Sequence, residues 1–287
     1  MIDDPAGSSR ISPTAHYTAY VWYKHGMSHP ALATRLGAVL WRALRPMNLW
    51  YERFGERPGL DMSLLARHRV LDHLLERAIV SGEVRQVIEI ASGLSPRGYH
   101  FARRHRGAGL RYIEADLPEM AAHKRRLLDG AGLRGDNHEI VVMDALAEDG
   151  ASSLAGVCAA QLDRDRGTAI ITEGLLGYFD EDSVRGMWSR FARCLRGFPG
   201  GLYLSDLNLA GDVRAMRSAA VFKFLLEKFA RGKTYLHFAD PADAERALRA
   251  CGFAAARVHD PDEFAALVDV PGVGRKQIVR LLAARAQ

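Results

Sequence analysis

The chain is poor in cysteine. It has three, Cys158, Cys194 and Cys251. They are odd in number and far apart in sequence, and they form no C-x-x-C pair. That speaks against a disulfide framework and predicts reduced, buried thiols in a cytoplasmic protein. No apolar run is long enough to span a bilayer, and no signal peptide is recognisable, so no membrane role is expected. A long Lys/Arg block is also missing. The net charge of +5 is spread as Arg along helical segments, a mild basic balance that does not point to nucleic acid. There is no internal repeat, no low-complexity tract, and no metal site is expected.

What the chain does have is apolar content. At 287 residues and 48% hydrophobic, it can bury a sizeable core in one large α/β domain with additions, or in two small ones. Met1 to Ser12 is rich in small, polar and turn-forming residues and is expected to be loosely ordered. Residues 14 to 80 look helical. Leu32, Leu36, Val39, Leu40 and Leu44 recur at helical spacing, with Pro46 and Pro58-Gly59 as punctuation. Met62 to Val80 forms a second amphipathic helix, closed by Ser81-Gly82.

Strands and helices then alternate. Strands are expected at 86–90, 110–115, 139–143, 168–172 and 201–206. Helices fall at 96–105, 118–131, 150–160 and 181–195. This order implies a parallel sheet covered on both faces. An apolar helix at 213–230 reads as an insertion. A helix at 241–251 and strands at 253–259 and 276–283 complete the chain. The division is a helical N-terminal cap or lid over 1–80 and a core over 81–287 carrying a helical insertion near 208–240.

The densest signal is Val87-Ile88-Glu89-Ile90-Ala91-Ser92-Gly93-Leu94-Ser95-Pro96-Arg97-Gly98. Strand, tight turn, helix is the geometry that cradles a nucleotide-like ligand. The turn departs from G-x-G-x-x-G, placing Ala91, Gly93 and Pro96 at the matching positions, and Pro96 has no amide hydrogen for a phosphate. A ligand with a ribose and no phosphate fits better, and S-adenosylmethionine is the commonest. About twenty residues on, Arg111-Tyr112-Ile113-Glu114-Ala115-Asp116 ends a second strand in acid, suited to a ribose diol. A plain buried strand and turn explains the loop equally well on its own.

Four segments together resemble one family. Arg67-His68-Arg69 and Asp72 resemble an R-x-R-x-x-D helix. Glu89 through Arg97 resembles E-x-G-x-G-x-D-T-R. Tyr112 to Lys124 is similar to Y-x-E-x-D-x-P-x-x-x-x-x-K. Thr172 to Phe179 is similar to E-G-L-L-x-Y-L. The family is the leucine carboxyl methyltransferases and polyketide O-methyltransferases, a branch of the class I S-adenosylmethionine-dependent methyltransferases. The likeness runs from about Leu64 to Leu207 and weakens beyond. It implies a Rossmann-like α/β fold with a mostly parallel seven-stranded sheet, helices on both faces and a helical N-terminal cap. The activity it implies is O-methylation of a carboxylate or hydroxyl on a small metabolite. Two departures stand out. Ala91 replaces the first loop glycine, which is tolerable if its φ stays negative. Ser95-Pro96 replaces the Asp-Thr pair, removing one partner for the cofactor's amino group.

The resemblance assigns roles. Arg67, with Arg69 as fallback, supplies the planar fork for the cofactor carboxylate, the alternative being a solvated helix arginine paired with a neighbouring acid. The backbone of Ala91, Ser92 and Gly93 receives the ammonium, with charge from Glu173 at the end of the fourth strand. Asp116 takes the ribose. Asp144 accepts from the adenine amine, and Ala145 offers its amide. For Asp116 and Asp144 the alternative is helix capping. No catalytic base stands out. Tyr17, Tyr20 and His25 of the cap, and Tyr178, are candidates to touch a small-molecule methyl acceptor. Two other classes compete. Pro271-Gly272-Val273-Gly274-Arg275-Lys276 is similar to the hairpin of helix-hairpin-helix modules, which suggests a nucleic-acid binder or a nucleic-acid methyltransferase. The bland alternative is a turn into the last strand. The altered loop suggests a non-catalytic descendant of the fold.

Overall fold

A computed structural model describes residues 13–214 and 235–287. Seven strands form one sheet in the order β3-β2-β1-β4-β5-β7-β6. They are β1 (Gln86–Ile90), β2 (Arg111–Asp116), β3 (His138–Val142), β4 (Thr168–Thr172), β5 (Leu202–Leu207), β6 (Ala255–His259) and β7 (Arg280–Arg285). The first five run parallel, and β7 lies antiparallel between β5 and β6. The helices are α1 (Pro13–Lys24), α2 (Arg35–Phe54), α3 (Leu60–Val80), α4 (Arg97–Arg104), α5 (Pro118–Gly130), α6 (Leu154–Gln161), α7 (Glu181–Leu195), α8 (Ala210–Arg214) and α9 (Pro241–Ala250).

Side chains alternate across the sheet, as a period of two demands. Ile88, Ile90, Ile113 and Ile170 face a core shared with α6, α7 and α9, centred on Trp188 and Phe191. Val87, Tyr112, Ala169 and Ile171 face the other side, under α3 and α4. Both faces are covered, so the parallel strands are apolar almost throughout. Among the exceptions, Glu89, Glu114 and Asp206 matter below.

The expected order of elements stands, with local shifts. The last strand begins at Arg280 instead of 276, because the preceding residues form a clasp. Arg275 donates to the Tyr51, Gly55 and Glu52 carbonyls at the end of α2, at 2.7, 3.1 and 2.7 Å. Gly272, at φ +78°, leaves no room for a Cβ against Pro58. The hairpin thus ties the N-terminal helices to the sheet's antiparallel edge, and its arginine is spent on helix-end carbonyls. Pro46, expected as punctuation, sits inside α2. It is exposed, as is Arg42 one turn earlier, so water can satisfy the carbonyl that loses its partner. The expected boundary at residue 80 falls after a helix that belongs to the sheet layer. Val70, Leu71, Leu75 and Ile79 of α3 pack with Val87 and Leu204. Of the apolar helix expected at 213–230, residues 215–230 lie outside the described residues, as do Met1 to Ser12.

Candidate functional site

Register brings the strand tips level. Ile90 at the end of β1 pairs with Ala115 of β2 and with Thr172 of β4. The β1/β4 boundary is where strand order reverses, and open α/β sheets bind ligands at the carboxyl edge of such a switch point. Ala91, Ser92, Gly93, Asp116 and Glu173 therefore gather at one place.

The loop after β1 is held from β2. The Gly93 amide donates to Asp116 Oδ2 at 2.7 Å, and the Leu117 amide donates to Asp116 Oδ1 at 2.8 Å. Burial pushes the Asp116 carboxyl up, and these two amides partly offset it. Each oxygen keeps a second lone pair for a ligand hydroxyl. Gly93 has φ +49° and Ala91 has φ +53°. The requirement that Ala91 stay at negative φ is therefore overturned: this alanine takes a left-handed conformation that a glycine adopts without penalty, at a cost of about 1–2 kcal/mol. At the start of α4, the Arg97 amide donates to Ser95 Oγ at 3.2 Å, and Pro96 is the residue before it. This helix start offers little to a phosphate.

Beside the loop lies a buried ion network. Arg97 is 1% exposed. It donates to Asp72 Oδ1 at 2.5 Å, Glu89 Oε1 at 2.7 Å and Glu173 Oε2 at 2.6 Å. Glu89 also accepts from the Tyr112 hydroxyl at 2.7 Å. Glu173 accepts from Arg67 Nε at 3.0 Å and contacts His68 Nδ1 at 2.8 Å. Arg67 continues to Asp206 Oδ2 at 3.0 Å, while Asp206 Oδ1 accepts from the Gly174 amide at 2.6 Å. Burial alone would raise Glu173, but His68, Arg97 and Arg67 outweigh it and hold its carboxyl well below the usual range. Asp206 moves the other way: burial raises it, Arg67 opposes, and Glu173 adds to the rise. Four carboxylates here face two guanidinium groups and the His68 imidazole, an imbalance that favours a cation at the crevice.

Arg67 is therefore not a solvated helix arginine. It bridges two strand ends, and among the described residues no acceptor bonds its Nη2. Glu173, expected to offer charge to an ammonium, has both oxygens engaged, so a ligand would reach it only by displacing Arg67, His68 or Arg97. Arg69 points elsewhere, to Asp269 on the β6–β7 connection. Asp144 lies at the tip of β3, exposed, with Oδ1 accepting from the Leu146 amide at 2.9 Å. Ala145 follows it, its carbonyl accepting from Arg190 at 3.1 Å.

The cap closes over these loops. Thr14 Oγ1 lies 2.8 Å from the Tyr178 hydroxyl, and a Cβ at Gly93 would lie 3.8 Å from the Ala15 methyl. The start of α1 thus lies against the loops after both β1 and β4. Tyr17 is corrected from acceptor candidate to framework. It is 1% exposed, its hydroxyl donates to Asp61, and Asn48 Nδ2 donates back to it at 3.0 Å. Burial and Asp61 push its phenol far above the ordinary value. Tyr20 is buried against Trp41. His25 is exposed at the far end of α1, leaving Tyr178 as the acceptor candidate at the crevice.

Arg97, Asp72, His68 and Asp206 were missed as site residues. A signal existed for two of them. Asp72 and Arg97 end two of the recognised motifs, and Glu89 interrupts an apolar strand, where a carboxylate needs a buried cation such as Arg97.

Comparison with known proteins agrees with this architecture. A Frankia alni protein named as a candidate S-adenosyl-L-methionine-dependent methyltransferase is 33% identical over 172 residues, 58% of each chain. A Streptomyces coelicolor protein of the same description is 36% identical over 134 residues, 47% of this chain and 45% of that one. The chain thus spans about half the length of these curated relatives. A crystal structure of a candidate methyltransferase from Thermobifida fusca superposes with a TM-score of 0.63 at 16% identity, over 98% of this chain and 97% of that one. A DUF574 family protein from Streptomyces avermitilis gives 0.65 at 13%, over 97% and 99%. Both show the same fold. The family model described as leucine carboxyl methyltransferase matches residues 29–192, more than half the chain, and the protein belongs to that family.

Proposed function

We propose that this protein is an S-adenosylmethionine-dependent methyltransferase acting on an oxygen, carboxylate or hydroxyl, of a small metabolite. The observation that carries the reading is Asp116, fastened to the Gly93 amide at the β1/β4 switch point and still able to accept from a ribose. The donor set fits the cofactor. Arg67 Nη2 remains for a carboxylate, the carboxylate excess favours a cationic ligand, and the start of α4 is closed to phosphate. Asp144 and Ala145 are assigned to the adenine, and Ala91, Ser92 and Gly93 to the amino-acid end. Glu173 and Arg97 act by positioning Arg67. The bound cofactor supplies an electrophilic methyl on a sulfonium. The protein's task is to align the acceptor and exclude water. A carboxylate acceptor is already ionised near neutral pH and needs no base. Tyr178, which meets Thr14 of the cap, is assigned to touch it.

Against the nucleic-acid alternative stands Arg275, which is committed to helix-end carbonyls. A cytoplasmic setting in secondary metabolism belongs to the same proposal. Among the described residues no helix is long and apolar enough to cross a membrane. The test is incubation with methyl-labelled S-adenosylmethionine and a panel of small carboxylates, phenols and amines. The expected result is label in an ester or ether. Label only in N-methyl or C-methyl products, or no turnover across the panel, would overturn the oxygen assignment.

A further inference from the structure

On the face of the sheet covered by α6 and α7, opposite the buried ion network, two of the three cysteines meet. Cys158 of α6 and Cys194 of α7 are 36 residues apart in sequence, yet their sulfurs lie 2.8 Å apart. Far apart in sequence, they meet because α6 and α7 pack side by side. Both remain free. Cys158 is buried, while Cys194 is partly open. A small cleft of about 190 Å³ opens on the pair, lined also by Arg164, Arg190, Arg193 and Glu148. Among the described residues no carboxylate lies within ion-pair distance of the three arginines. Arg164 sits over the Phe198 ring at 5.1 Å. Arg190 reaches the Ala145 carbonyl, while its buried Nε has no partner.

Each element of this arrangement has a consequence. Two thiols in contact can close a sulfur–sulfur bond of about 2.0 Å by small side-chain rotations. Uncompensated guanidinium groups favour thiolate over thiol and draw anions toward it. The two sulfurs also differ. The Cys158 contact lowers Cys194, against burial and with help from Arg164 and Arg193. That same contact and burial raise Cys158. An accessible nucleophile thus stands beside a buried resolving thiol.

We propose that Cys158 and Cys194 form a reactive dithiol site that small anionic disulfides enter through the arginine-lined cleft and oxidise to an intramolecular disulfide. The Cys194 thiolate, having released its proton, attacks one sulfur of the reagent. The reagent's S–S bond breaks, a mixed disulfide forms on Cys194, and one small thiolate leaves. Cys158 then loses its proton, attacks Cys194 Sγ and expels the second small thiolate, which takes up a proton as the first does. The protein loses two hydrogens, and the reagent is reduced to two thiols. None of this depends on the proposed methyl transfer.

The test treats the reduced full-length chain with oxidised glutathione or with the neutral 2-hydroxyethyl disulfide, following intact mass and mapping peptides. The expected product has lost two hydrogens and joins the peptides of Cys158 and Cys194, with Cys251 unmodified. Cys158→Ser should stop at one glutathionyl group on Cys194, and Cys194→Ser should abolish reaction at both positions. Arg164→Gln with Arg193→Gln should slow oxidised glutathione about tenfold while changing the neutral reagent less than about twofold. Modification of Cys251 ahead of the pair, or a mixed disulfide first on Cys158, would overturn the dithiol assignment. Equal slowing of both reagents would overturn the recognition of anions.

Discussion

Glu89 and Glu114 are register partners on β1 and β2, both buried, both on the α3/α4 side of the sheet. The molecule neutralises them in different ways. Glu114 is sealed locally. Lys124 of α5 donates to Oε1 at 2.8 Å, and His138 Nε2 lies 3.3 Å from Oε2. Burial would raise this carboxyl, but Lys124 and His138 outweigh it and lower it. A Cβ at Gly98 would collide with it, so the helix above closes on the pair. Glu89 is neutralised by Arg97, whose other two arms reach Asp72 and Glu173. Through Glu173 the network runs to Arg67 and Asp206 at the crevice. One buried carboxylate ends in a compact cluster that reaches the loop after β1 only through a 3.4 Å bond from Lys124 to Ser92 Oγ, while its neighbour anchors a relay of ion pairs that sets the position of a candidate ligand group. Position in the sheet explains the difference. β2 passes its charge to the helix beside it, whereas β1 borders the switch point.

Breaking the two sites should separate them. The largest effect is expected from Arg97→Met, which leaves three carboxylates short of a partner in a buried setting. Urea denaturation should show a loss of at least about 4 kcal/mol. Arg97→Lys should recover only part, because an ammonium cannot replace a three-way fork. Lys124→Met should cost about 3 kcal/mol, yet calorimetry on the folded fraction should find S-adenosylhomocysteine affinity reduced less than by Arg97→Lys, because Lys124 touches the ligand loop only through Ser92 Oγ at 3.4 Å. An equal or larger loss of affinity there would erase the contrast. Acid stability sharpens it further. Glu173 titrates in the folded state below its unfolded value of about 4.3. Its contribution is therefore present above that pH and is lost as pH falls through the depressed value. Glu173→Gln should accordingly flatten the acid limb of stability below about pH 4, with little dependence left between pH 5 and 7. The smallest effect is expected at the loop: Ala91→Gly should relieve a left-handed alanine and stabilise by about 1 kcal/mol, read as a shift in the urea midpoint.

Much of this was legible in the residues. Val87-Ile88-Glu89-Ile90 and Ala169-Ile170-Ile171-Thr172 read as buried strands because β-branched runs are cut off by small residues and acids. The alternation with helices then fixed a parallel sheet. Asp116 was legible because it ends the strand that follows a loop poor in amides for a phosphate. The partners of Arg97 were not, since no spacing says that Asp72, Glu89 and Glu173 converge on one guanidinium. The motif ends marked the residues without showing the joint. Tyr17 misled because an aromatic hydroxyl in a cap looks the same whether it faces a ligand or donates to Asp61 inside the helices. The sign of φ at Ala91 also has no sequence marker. Cys158 and Cys194 were separated by their numbering and joined by helix packing.

The account rests most directly on Asp116. Calorimetric titration of S-adenosylmethionine and S-adenosylhomocysteine into wild type and Asp116→Ala is the measurement to make, with urea denaturation confirming that the variant folds. The prediction is one-to-one binding by wild type and a loss of about tenfold to a hundredfold in the variant, from a forfeited pair of hydrogen bonds to a charged acceptor. No heat with wild type, or equal affinity in both proteins, would contradict it.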